Sequence, residues 1–159
     1  MNEIYIPQYD IIIPKGKILI VQQDVRTGHI IRDLVENMVV TAGKNSIADA
    51  LRGTTENNKG IITYCVVGAG ITAPALGDTA LQTETFRKLV SVRGVDGKTA
   101  YFQTFFTTSE ANGTLREAGL FGDDASGTAD SGTLFCRAAI NRTKSSNDTL
   151  TLYWYVTIG

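Results

Sequence analysis

One histidine, two cysteines and three prolines are spread over 159 residues, and each scarcity removes a class of function. The lone His29 stands beside a turn glycine, so there is no imidazole cluster for zinc, and any Ser-His-Asp or Cys-His mechanism would hang on one solvated side chain. Cys65 and Cys136 lack C-x-x-C spacing and lie inside the apolar runs ITYCVV and TLFCRAAI, where a buried reduced thiol is the common state. Charge of one sign is missing too, with 15 basic against 16 acidic residues. No global field therefore draws the chain to nucleic acid or to an anionic membrane. No apolar run approaches the roughly 20 residues of a membrane span, and MNEIYIPQYD lacks the basic-then-apolar order of a leader, which points to folding in a cytoplasm. The chain reads as a non-enzyme needing no cofactor and no metal.

What is present is β-forming sequence. GIITYCVVG, TFRKLVSVRG, TAYFQTFFTT, TLREAGLFG, GTLFCRAAI and TLTLYWYVTI are short runs rich in β-branched and aromatic residues, separated by VDGK, SEANG, DDASGTADSG and NRTKSSND. In the last run Leu150, Leu152, Trp154 and Val156 fall on one face, and Thr149, Thr151, Tyr153 and Tyr155 on the other. The segment KILIVQQDVRTGHIIRDLVENMVVT predicts two or three strands with a turn at Arg26-Thr27-Gly28. One helix is expected in GKNSIADALRG, capped by Asn45 or Ser46, with Ile47, Ala48 and Leu51 on its buried face and Gly53 as its stop. The fold class is all-β, an antiparallel, jelly-roll-like sandwich with one short α-helix. Residues 17–159 form the domain, and residues 1–16 form an extended arm whose apolar Ile4, Tyr5, Ile6, Ile11, Ile12 and Ile13 need a cover, either an edge of the same domain or a neighbouring subunit.

VVGAGITA, residues 66–73, carries the G-x-G-x-x-A spacing of a dinucleotide site. That motif works only where a strand turns directly into a helix whose amides hold a pyrophosphate. Pro74 and Gly77 follow at once, so no helix propagates and the glycines are expected to supply turn geometry and close packing. Asp123, Asp124 and Asp130 lack the order of a calcium loop and read as a charged hairpin tip. Asp78 and Glu84 are close only in sequence. Glu117 stands between Leu115 and Gly119 on one side of a strand, and if that side faces the core the carboxylate needs a cationic partner or several amide donors. The expectation is a structural pair of Glu117 with Arg87, with Arg137 in a comparable setting. Of Tyr101, Phe102, Phe105, Phe106, Tyr153, Trp154 and Tyr155, alternation sends about half to the core and half to the surface or an interface.

The succession NMVVTAGKNSIADAL, VVGAGITAPALGDTALQTETFRK, FTTSEANGTLREAGLF and SGTLFCRAAINRTKSSNDTLTLYWYVTI resembles a group of small tailed-phage and prophage virion proteins, of tail or tail-fibre type. The elements carrying it are Gly43, Val67 to Pro74, Asp78 to Glu84 with Arg87, Ser109 to Gly113, Glu117 to Phe121, and Trp154, within residues 37–158. The resemblance implies a virion building block made in a bacterial host, assembling with itself as a trimer or ring and with other virion proteins. The alternative is a receptor- or glycan-binding module of the particle, with a host-surface glycan as its partner.

Overall fold

In the computed structural model, which describes residues 13–53 and 60–159, the chain opens with a hairpin of β1 (Lys15–Asp24) and β2 (Ile30–Val39). The turn forms where the sequence places it. Asp24 accepts hydrogen bonds through Oδ1 from the amides of Arg26 and Thr27, and Gly28 takes the positive φ of +73° that a side chain would resist. After helix α1 (Thr41–Leu51) come β3 (Ile62–Gly68), β4 (Glu84–Leu89), β5 (Val92–Asp96), β6 (Thr99–Phe106), β7 (Gly113–Gly122), β8 (Thr133–Lys144) and β9 (Asp148–Thr157). The all-β, antiparallel architecture with one short helix is the one the residue pattern predicts.

The strands form one nine-stranded sheet in the order β4-β3-β7-β8-β2-β1-β9-β6-β5. It curls because β2 changes partner along its length: Gly16 through Gln23 of β1 pair with Asn37 through Ile30, whereas Met38 and Val39 pair with Arg137 and Cys136 of β8. One half (β2, β1, β9, β6, β5) thus faces the other (β4, β3, β7, β8). The chain passes between the halves again at Val90-Ser91, where the Val90 amide bonds to Thr63 O of β3 and the Ser91 amide to Gln103 O of β6. For this reason TFRKLVSVRG, which reads as one run, is two strands. Between the halves lie Ile18, Ile20, Phe106, Leu115, Ala118, Leu120, Leu150, Leu152 and Trp154. The inward face read for β9 is the buried one.

A second apolar cluster, Val40, Val66, Leu81, Phe121 and Leu134, lies on the other side of the β3-β7-β8 layer. Strand β3 is consequently buried on both faces, which explains its unbroken apolar run. Helix α1 packs beside this layer and differs from its expected form. It begins four residues before Asn45, at Thr41, with no side-chain cap. The backbone compensates, since the Thr41 amide bonds to Leu76 O and the Val40 amide to Phe135 O. Its buried residues are Gly43 and Ser46, because Gly43 presses on the backbone of Phe135. Leu51 is 83% exposed. The stop at Gly53 is as expected, with φ +77°.

Cys65 and Cys136 occupy one row of the sheet with Leu120 between them, since Leu120 pairs with both. One intervening strand holds their backbones about 9–10 Å apart, too far for a disulfide, and both thiols are free and buried. Burial pushes the Cys65 thiol up to about 12 and raises Cys136 as well. Neither should react with a thiol reagent at pH 8 in the folded protein, and both should react on denaturation. Rapid labelling of either one under native conditions would show that the inner layer is open to solvent.

Candidate functional site: two ion-locked loops and an exposed aromatic face

The loop of residues 69–83 follows the glycine motif and is held by one buried carboxylate. Glu117 is 1% exposed. Its Oε1 accepts from the amides of Gly70 at 2.9 Å and Thr83 at 2.7 Å, and its Oε2 from the amide of Gln82 at 2.9 Å. Arg137 donates to the same Oε2 through Nε at 3.0 Å and approaches it through Nη2 at 2.8 Å. The guanidinium then reaches onward, Nη1 to Asp78 Oδ2 at 2.7 Å and Nη2 to Thr72 O at 2.9 Å. Every one of these partners except Arg137 lies in or beside the loop, so the pair fastens it to β7 and β8. A Cβ on Gly68 or Gly70 would collide with the Glu117 carboxylate. The glycines do admit an anion to backbone amides, but the anion belongs to the protein.

Arg87 is not the partner of Glu117. It forms a bidentate pair with Glu84, Nε to Oε1 at 2.6 Å and Nη2 to Oε2 at 2.8 Å, with both side chains almost wholly buried. Its Nη1 donates to Ser126 O and Ser131 O, and Glu84 Oε2 accepts from the Asp130 amide. The guanidinium also lies 5.1 Å from the Phe121 ring centroid and 5.6 Å from that of Tyr64. This second lock holds residues 123–132 against β4. Register accounts for the corrected pairing. Arg87 and Arg137 share the row Arg87, Val66, Gly119, Arg137, but β3 separates Arg87 from β7, whereas β8 adjoins it. A register shift between Leu115 and Glu117 also corrects the expected facing: Leu115 joins the inner core, and Glu117 turns to the outer side.

Burial alone would raise the carboxyls of Asp78 and Glu84. For Asp78 the Ala75 amide and Arg137 outweigh it, and for Glu84 the Arg87 guanidinium and Asp130 amide do, so both lie below their ordinary values of 3.8 and 4.5. The unfolded chain therefore binds these protons more tightly than the folded chain does. Stability from these locks is complete above the ordinary values and drains away as pH falls through the lower folded ones. Urea midpoints should hold steady from pH 7 to about 5 and fall below about 4.5, with a shallower fall in Glu84→Gln. An unchanged acid limb in that variant would remove Glu84 from the linkage.

His29 is exposed next to the β1–β2 turn. Asp123, Asp124 and Asp130 all adopt positive φ, and Asp123 accepts from Ser46 Oγ and the Gly60 amide, tying α1 to the end of β7. Among the described residues no group of histidine, cysteine or acidic side chains could hold a metal ion, and no helix is long and apolar enough to cross a membrane. Ile4, Tyr5, Ile6, Ile11 and Ile12 lie outside the described residues; Ile13 is half exposed.

The aromatics divide by face. Phe106 and Trp154 are wholly buried and Phe102 packs against the same core, whereas Tyr101, Phe105 and Tyr155 are exposed. On the outer side of the β2-β1-β9-β6-β5 half, register aligns Leu34, Leu19, Tyr153, Gln103 and Val92 in one row. Beside it run Glu36, Lys17, Tyr155, Tyr101 and Gly94, with Tyr101 lying across the glycine. On the other side run Arg32, Val21, Thr151 and Phe105. The opposite half has the loops and the helix over its outer side; this half has no element of the described chain over it. Sequence alternation indicated outward aromatics but not that they would gather on one side of a curled sheet. No protein-family model, curated protein or solved structure matches the chain.

Proposed function

We propose that the chain is a structural subunit of a tailed-phage particle, acting by protein–protein assembly in the tail, fibre-attachment region, neck or capsid exterior. The observation that carries assembly is the uncovered face of Tyr155, Tyr101, Phe105, Leu34 and Val92. Clustered aromatic and aliphatic side chains, flanked here by the charged Lys17, Glu36 and Arg32, are the composition of an interface centre with a polar rim. The phage setting rests on the ordered motifs from Gly43 to Trp154, whose V-G-x-G-x-T-x-P, D-T-x-L-x-x-E and E-x-G-L-F segments are here the parts of the Glu117 and Arg87 locks. Rigid loops and one uncovered face suit a part that is stacked rather than one that turns over a substrate.

Light scattering of the purified protein should give the mass of a defined multimer. A double substitution, Phe105→Glu with Tyr155→Glu, should give a monomer that still unfolds cooperatively, because both side chains lie outside the buried core. A clean monomer before substitution would overturn self-assembly, and saturable binding of that monomer to host-surface glycans would favour the receptor-binding alternative.

A further inference from the structure

A groove of about 500 Å³ opens at one end of the uncovered face, lined by Lys15, Lys17, Leu34, Glu36, Met38 and Tyr155 among others. We propose that it receives the N-terminal segment, residues 1–12, of a second copy of this chain. The inference rests on the assembly reading above and adds to it the place where one subunit holds the next.

Three observations select this occupant. The described chain begins at Ile13, beside Pro14, which itself lines the groove, so each copy brings one such segment to the rim of one such groove. The segment is apolar, with Ile4, Tyr5, Ile6, Ile11 and Ile12 to set against Leu34, Met38 and the Tyr155 ring. Its charged residues are Glu3 and Asp10, with no lysine or arginine before Lys15, whereas the groove presents two lysines to one glutamate; the signs are complementary. Docking on another copy is favoured over folding back. Under the assembly reading the uncovered face is where copies meet, so the segment at the rim of one groove is set against the groove of the facing copy. Twelve extended residues reach at most about 40 Å, twice the roughly 20 Å width of a five-stranded half. A neighbour's groove is within that reach.

The test is cross-linking in the full-length protein. Copies carrying Tyr5→p-benzoylphenylalanine in natural isotopes are mixed and refolded with 15N-labelled copies lacking the substitution, irradiated, and analysed by mass spectrometry, with native mass measured on the same sample. The expected result is light-to-heavy cross-links to peptides containing residues 14–17, 34–38 or 155, and at least about a tenfold weakening of association in Lys15→Glu with Lys17→Glu. Cross-links confined to single copies would show that the segment folds back and would overturn the proposal. A multimer whose cross-links fall elsewhere would overturn the groove and leave assembly standing. A monomer without cross-links between copies would overturn both.

Discussion

Replacing Glu117 by alanine is expected to lower the unfolding free energy by about 3–5 kcal/mol, because it removes the one wholly buried carboxylate beside Arg137 and leaves that guanidinium only the partly exposed Asp78 and the Thr72 carbonyl. Three amides, those of Gly70, Gln82 and Thr83, lose their acceptor in the same step. The loss should be non-additive. In a cycle with Arg137→Met, the double variant should be destabilised by much less than the sum of the single ones, since neither charge is then left buried alone. Gly70→Ala reaches the same lock from the other side, because its Cβ would occupy the space of the Glu117 carboxylate. Urea denaturation of the four variants measures the coupling, and additive losses would show that the two side chains act independently.

For Arg87→Met a loss of similar size, about 3–5 kcal/mol, is expected, but with a different local signature. The buried Glu84 carboxylate loses its bidentate partner, and Ser126 O and Ser131 O lose a shared donor. Amide hydrogen exchange in residues 123–132 should then accelerate at denaturant concentrations where the strands remain protected. The loop of residues 69–83 should be little affected, as it is tied by the other lock. Equal acceleration in both loops would mean that the two networks open together.

Strand content, the β1–β2 turn, the inward face of β9 and the need of a buried Glu117 for a cation or several amide donors are all legible in residue order. These are local properties, fixed by alternation, turn chemistry and the desolvation of a charge. Which arginine serves Glu117 was not legible, because it depends on strand order. Arg87 and Arg137 sit in equivalent strand contexts, and only the insertion of β3 between β4 and β7 decides between them. The glycine motif failed to identify itself for the same reason. The anion it accommodates lies 47 residues beyond Gly70, and no local spacing announces it. The helix starts earlier than its capping residues predict because its first amides bond to Phe135 and Leu76 rather than to a capping side chain.

The pairing of β1 with β9, in register from Lys15 with Thr157 to Asp24 with Asp148, has a consequence for biosynthesis. A ribosome delivers β1 first and β9 last of the nine described strands, so one edge of the first hairpin stays open while the strands between them are made. That edge carries Ile18 and Ile20, and until β9 emerges it is the most exposed template for pairing with another nascent chain. Completion of this half is therefore a late event. Crowded polysomes are a setting in which this sequence is at risk of aggregation.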